Sequence, residues 1–138
     1  MKNLSNFKVE VRTREYLVQA IFQLFFNEEE DVTDIVEQFK DEHKTKRVDF
    51  YSFTSDLKSI QKNKKEIHKA LIDLDVKDTN LDLMDKSILY FALNEMIYGQ
   101  LDKPIVIDEA LRLSKKFSNP ESYKFINANL DKFLKSKK

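Results

Sequence analysis

The 138-residue sequence contains no cysteine, no tryptophan, one glycine and two prolines. Without cysteine there is no disulfide framework, no thiolate metal site and no cysteine nucleophile. A single glycine excludes the glycine-rich phosphate loops of Walker and dinucleotide type. It also excludes a serine nucleophile elbow, which needs flanking glycines. β-Rich folds draw their turns from glycine and proline, so this scarcity favours a chain that is almost entirely helical. Long apolar runs are missing too. The longest stretch without a charge, Tyr16 to Asn27, has twelve residues, whereas a membrane span needs about 20. Charges at Lys8, Glu10, Arg12, Arg14 and Glu15 leave no apolar core for a signal peptide. The expectation is a soluble, cytoplasmic protein.

Net charge is the last absence. Lys plus Arg and Asp plus Glu number 24 each, which excludes a globally basic nucleic-acid binder but not a local basic patch. The charges are unevenly spread. Residues 1–25 hold four basic and two acidic groups, residues 26–45 two basic and eight acidic, and residues 46–70 seven basic and three acidic. An acidic segment therefore lies between two basic ones. Apolar residues make up 41% of the chain, enough for a packed core.

Helical periodicity predicts about seven helices. From about Lys8 to Phe26, the residues Leu17, Ala20, Ile21, Leu24 and Phe25 share one stripe, with Glu10 near its axis. Val32, Ile35, Val36 and Phe39 mark a second helix. Phe50, Phe53, Leu57 and Ile60 mark a third, with Asp49 as its N-cap. Ile67, Leu71 and Leu74 mark a fourth, continuous with the third or broken near Asn63. The fifth runs from about Asp82 to Tyr98, and Gly99 follows where a left-handed cap is expected. Pro104 suits the first turn of a sixth helix ending near Phe117. Asn119-Pro120-Glu121 reads as N-cap, first helical proline and first-turn carboxylate of a seventh. The Lys135–Lys138 tail is expected to fray. The expected fold is all-α, with two small packed bundles over residues 1–78 and 79–138 that form one compact unit.

Little of this chain suits catalysis. His43 and His68 lie 25 residues apart without a second ligand at helical spacing, so no zinc site is expected. Glu28-Glu29-Glu30-Asp31 lacks the alternation of a calcium loop. Asp108 and Glu109 point about 100° apart on a helix and cannot flank one bond. The expectation is a protein without enzymatic activity, metal or cofactor.

Binding surfaces are easier to read. Opposite the stripe of the first helix project Lys8, Arg12, Glu15 and Gln19, with Phe22 on the same side and Val18 at its flank. An aromatic there calls for a second burial surface, either a neighbouring helix or a partner protein. Arg14 sits at the stripe's edge, where its stem packs and its head reaches solvent. Lys8 and Arg12 form an i, i+4 pair able to straddle phosphates. Lys115 and Lys116 close the sixth helix, where the dipole favours cations. Beside them the next helix opens with free N–H groups suited to an anion, although Glu121 competes for those donors. Lys124 and Phe125 follow within a turn, and a base can stack on an exposed aromatic.

These segments carry a resemblance. Leu83-Met84-Asp85-Lys86-Ser87-Ile88-Leu89, followed by Ala92 and Glu95, resembles the L-x-D-R/K-A-I-L-R-x-A-x-Y-E-L helix of NusB-type proteins. The run from Pro104-Ile105-Val106 through Asp108-Glu109-Ala110-Leu111 to Lys115-Lys116-Phe117 is similar to the family's P-x-x-V-x-I-N-E-A-I-E-L-A-K-K-F. Ser122-Tyr123-Lys124-Phe125-Ile126-Asn127 and Leu130-Asp131-Lys132 resemble its S-H-K-F-V-N-G-V-L-D-K ending. Arg12-Thr13-Arg14-Glu15, with Gln19-Ala20 and Phe22, resembles its R-x-x-A-R-E-x-A-x-Q-A-L-Y start. Over 26–80 only helical character and length match.

The resemblance implies a transcription antitermination factor without catalysis or cofactor. Such a factor binds the single-stranded boxA RNA of ribosomal RNA leaders together with NusE, a ribosomal protein of the small subunit. The complex joins the RNA polymerase elongation complex with other Nus factors. Carried over, the RNA contacts fall on Arg12 and Arg14, with Lys8 and Lys116 as supplements, and on Glu121, Ser122, Lys124 and Phe125. The NusE contacts fall on Phe22 and Asp85. Some family members self-associate through the RNA surface, so a homodimer is a further expectation. The chain departs from the pattern by placing Glu10 and Val11 in the arginine run, Ser118 and Ala128 for glycines and Tyr123 for a histidine. Fewer cations predict weaker, less salt-sensitive RNA binding. The alternative is a helical interaction module that keeps NusE and loses RNA.

Overall fold

Amphipathic helices bury their stripes against something, and here that is a helix buried on all its faces. The computed structural model describes residues 7–77 and 81–136. Its elements are α1 (Lys8–Phe26), α2 (Val32–Glu42), α3 (Phe50–Lys62), α4 (Lys64–Asp73), α5 (Leu83–Tyr98), α6 (Lys103–Phe117) and α7 (Ser122–Ser136). No strand occurs among the described residues. Ten of the sixteen residues of α5 are buried, on all its faces, as befits a helix at the centre of a bundle. α1 and α6 lie along it, α7 packs on α6 and α5, and α3 and α4 close another side. α2 lies outside, against α3 and α1. A single core results, running from Leu17 and Ile21 through Phe53, Ile67 and Leu93 to Leu113 and Ile126. Across it the Lys132 Nζ donates to the Leu74 carbonyl at 3.3 Å. The 78/79 division expected from the sequence falls at the edge of residues 78–80, outside the described residues.

Local chemistry sets most boundaries where the sequence puts them. The Asp49 carboxylate accepts from the Ser52 N–H at 3.0 Å and the Ser52 hydroxyl at 2.8 Å. Those bonds hold its carboxyl below the usual range. Asp82 caps α5 by accepting from Met84 N–H and Asp85 N–H. α3 and α4 break at Asn63, and Pro104 sits in the first turn of α6.

Four details differ from expectation. Gly99 is extended, with φ −91° and ψ −177°, so it is not a left-handed cap. Its lack of a side chain instead admits Glu95, whose carboxylate Oε2 would lie 1.7 Å from a Cβ at that position. The left-handed residue is Asp75, with φ 63°. There the Val76 N–H donates to the Leu71 carbonyl and the Asp75 N–H to that of Ile72, both at 2.9 Å. That is a Schellman cap, with buried Val76 and Leu71 as its hydrophobic contact. α7 starts at Ser122 and not at Pro120, because the Ser122 N–H closes a tight turn onto the Asn119 carbonyl at 3.0 Å. On α1, Thr13 takes the buried place expected for Glu10, and Val18 is fully buried. The Thr13 hydroxyl donates to Val9 and accepts from the Asp49 N–H, pinning α3's start to α1. Finally, no helix among the described residues is long and apolar enough to cross a membrane.

Candidate nucleic-acid interface

Packing α6 and α1 on the same helix brings charges together that lie about a hundred residues apart in sequence. Arg14 meets Glu109 at 2.7 Å. Arg112 grips Glu109 through Nε and Nη2, at 2.8 and 3.1 Å, and reaches Glu15 at 2.6 Å through Nη1. Lys116 closes the network on Glu15 at 2.8 Å. Both carboxylates are only 14% exposed. Burial alone would raise their pKa values, but the hydrogen bonds and charges of the three cations outweigh it and hold both below the usual range. Three cations on two carboxylates leave the network one positive charge. Beside it stand exposed Lys8 and half-buried Arg12, whose Nη1 donates to the Arg47 carbonyl at 3.1 Å.

The α6–α7 turn adjoins this network. Lys115 lies over the Tyr123 ring at 4.7 Å and Lys116 over Phe117 at 5.8 Å. Below the turn Asp85 is buried and accepts from the hydroxyls of Ser118 at 2.7 Å and Ser122 at 2.9 Å. Above it Glu121, Lys124 and Phe125 are exposed. So segments 8–16 and 115–125 meet at one corner through Glu15–Lys116, while Lys115–Tyr123 ties the end of α6 to the start of α7 within the second of them. This corner offers cations and one exposed ring to a polyanion with flat bases.

Two other surfaces stand apart. At the far end of α1, Phe22 stacks on Phe26 at 6.2 Å, and Phe26 is 76% exposed. Gln19, Gln23, Gln38, Glu42 and Met84 surround the pair. His43, weighed as a metal ligand, stacks on Tyr16 at 4.0 Å. A cleft between α1, α3 and the end of α5 is lined by Glu10, Asp49, Asp56, Glu95 and Arg14. Burial, reinforced by the neighbouring charge of Glu95, pushes the Asp56 carboxyl up to about 6.

Residues 11–135 match the NusB family. The chain belongs to the NusB family. It is 38% identical over 127 residues to the transcription antitermination protein NusB of Tolumonas auensis, covering 90% of this chain and 91% of that one. It is 35% identical to the same-named protein of Aeromonas hydrophila, over 91% and 92% of the two chains. A solved structure of T. maritima NusB superposes with a TM-score of 0.77 at 25% identity, covering 91% of this chain and 89% of that one.

Within this NusB fold the site residues read from sequence divide into four groups. Lys8, Arg12, Lys124, Phe125 and Glu121 are surface groups of the corner. Arg14 and Lys116 belong to it but are ion-paired, so the expectation that Arg14's head stands free in solvent is corrected: its side chain is 21% exposed and faces Glu109. Ser122 and Asp85 are buried and hydrogen-bonded to each other. At 5% and 7% exposed, they present little surface of their own as contacts for RNA and for NusE. Both hold the α6–α7 turn in place. Phe22 is half-buried under Phe26. Sequence reasoning missed Phe26 as its partner, although the i, i+4 spacing was legible. It also missed Glu109 and Arg112, for which the i, i+3 pairing was the only local signal.

Proposed function

We propose that the protein is a non-enzymatic, cytoplasmic transcription antitermination factor. It binds boxA-type single-stranded RNA jointly with NusE and enters the RNA polymerase elongation complex with other Nus factors. What supports the reading best is the corner itself, where Glu15 of α1 meets Lys116 of α6 in a network of residual positive charge, with Lys8 and Arg12 on the same helix as Glu15, and Lys124 and Phe125 following Tyr123 of α7, over which Lys115 lies. The Phe22–Phe26 pair, remote from that corner and rimmed by amides and carboxylates, suits the protein partner. Two modest surfaces used together give an affinity neither has alone. The same corner is the self-association surface should the chain dimerise, so RNA and a second copy would compete.

The test is a titration of labelled boxA-type RNA, with and without NusE, at two salt concentrations. Binding that NusE tightens and salt weakens is expected. The Arg12→Ala, Lys124→Ala double variant should bind about tenfold or more weakly, with a salt slope smaller by about 2. Unchanged affinity in that variant would refute the site. A second reading, a NusE-binding module with little RNA affinity, is favoured by the pairing of Arg14 and Lys116 with carboxylates. Its signature is intact NusE binding with no RNA binding in either salt.

A further inference from the structure

The basic segment that precedes and enters α3 is used by nothing described so far. Tyr51, in the first turn of α3, is 86% exposed. A buried tyrosine contributes about 150–250 Å² of contact, so a ring left this bare is available as a platform. It stands in a shallow cleft between α2 and α3, lined by Lys40, Phe50, Tyr51, Thr54, Ser55 and Lys58. That lining has two cations, two hydroxyls and two rings, and no carboxylate. Tyr51, Ser55 and Lys58 fall at i, i+4 and i+7, one face of the helix, and Lys62 extends it by another turn. The carboxylate of α3's interior, Asp56, opens into the acidic cleft with Glu95 instead. Asp49, the nearest carboxylate in sequence, is occupied in capping α3. Among the described residues, the one anionic contact is Glu37 to Lys40 at 4.0 Å, between exposed side chains, and such pairs are weak.

The cleft is also connected. The approach to it is Lys44-Thr45-Lys46-Arg47, exposed throughout, and the Arg47 carbonyl receives Arg12 of the corner. From Arg47 to Tyr51 the chain extends at most about 14 Å. A strand lying on Lys8 and Arg12 therefore passes Arg47 and arrives at the Tyr51 ring within a few nucleotides.

We infer that the α2–α3 cleft is a second single-stranded RNA contact, in which Tyr51 stacks on a base while Lys40, Lys58 and Arg47 take the flanking phosphates. The inference rests on the RNA-binding reading above and extends its track beyond the corner. A ring without hydrogen-bond readout around it stacks on any base, so this contact adds affinity and length, not sequence preference.

The experiment compares a short boxA-type RNA with the same RNA lengthened by about eight nucleotides at its 5′ or its 3′ end, within the site sizes of single-strand binders. Wild type is expected to bind one of the lengthened RNAs more tightly than the short one. Tyr51→Ala should remove about five- to tenfold of affinity for that RNA, the loss of one stacked base, and leave the short RNA unaffected. Lys40→Ala with Lys58→Ala should reduce its salt slope by about 2. Arg12→Ala should weaken both RNAs, which separates this cleft from the corner. Equal affinity of wild type for short and lengthened RNA would overturn the inference while leaving the corner standing. So would an unaltered lengthened-RNA affinity in Tyr51→Ala, or a loss of NusE binding there in place of RNA binding. Absence of any RNA binding by wild type, with NusE present, would overturn both readings. Tyr51 is solvent-exposed, so its variant should melt with the wild type, and ultraviolet cross-linking of the lengthened RNA to Tyr51 gives a second readout.

Discussion

Replacing Asp85 by alanine separates a packing role from a surface role. Asp85 is 7% exposed, and its two carboxylate oxygens accept from Ser118 at 2.7 Å and Ser122 at 2.9 Å. Hydrogen bonds to a charged group contribute about 1.5–3 kcal/mol each. Ser122 is itself buried, so in Asp85→Ala its hydroxyl loses its acceptor with no water to replace it. Relief of the carboxylate's own desolvation offsets part of that loss. The net expectation is about 2–4 kcal/mol of destabilisation. For a domain of this size it corresponds to a Tm lower by about 6–12 °C. Urea unfolding should show a lower midpoint with an unchanged slope. Asp85→Asn keeps the shape and one acceptor and should cost about half as much. RNA affinity should fall with Asp85→Ala in proportion to the disorder of the α6–α7 turn, while NusE binding follows only global stability. An Asp85→Ala protein as stable as wild type, defective only in NusE binding, would refute the packing argument and return Asp85 to the surface.

Further outcomes follow from the charge network, the caps and the exposed aromatics. Glu15→Gln removes a carboxylate shared by Arg112 and Lys116. RNA affinity should rise by about threefold with a steeper salt dependence, and weaker binding would show that the network's order matters more than its charge. Asp56, with its pKa raised to about 6 from an ordinary 3.8, binds protons in the folded chain more readily than in the unfolded one. Stability should therefore fall as pH rises from about 4 to 6, and Asp56→Asn should recover about 1–2 kcal/mol at neutral pH. Glu15 and Glu109 are shifted the other way, so their contribution is present above pH 4.5 and lost as pH falls below it. A stability maximum between about pH 4 and 4.5 in wild type, flattened toward neutrality in Asp56→Asn, is the combined signature in urea midpoints. Asp75→Gly should stabilise by about 0.5–1 kcal/mol, because the left-handed φ costs aspartate more than glycine. Phe26→Ser should weaken NusE binding several-fold without lowering the Tm, and a loss of RNA binding in the absence of NusE would contradict the separation of the two surfaces.

What was legible in the sequence was whatever depends on neighbours a few residues away. Helix existence followed from i, i+3, i+4 periodicity, so all seven elements are present, with the start of α7 shifted from Pro120 to Ser122. Asp49 and Asp82 cap helices because a short carboxylate reaches an N–H two or three residues on. The one glycine misled, because a left-handed cap depends on φ, and Gly99 is extended with Glu95 lying where a Cβ would be. The exposed members of the corner, Lys8, Lys124 and Phe125, were legible because solvent-facing positions lie off the core stripes.

Tertiary structure alone decided which charges remain available. Lys116 looked free because no Asp or Glu lies within four residues of it, and Arg14 because its one acidic neighbour at helical spacing, Glu10, does not hold it. Their partners, Glu109 and Glu15, are supplied by a different helix once α1 and α6 pack along α5. Asp85 and Ser122 looked like surface groups because each is polar and near a helix start. They are buried because α7 folds back over α5 and each satisfies the other. The sequence by itself determined a chain of seven helices with apolar stripes and a few outward cations. Coulomb interactions and burial act through space rather than along the chain, so only the packed structure determined which of those cations and rings were left to meet a ligand.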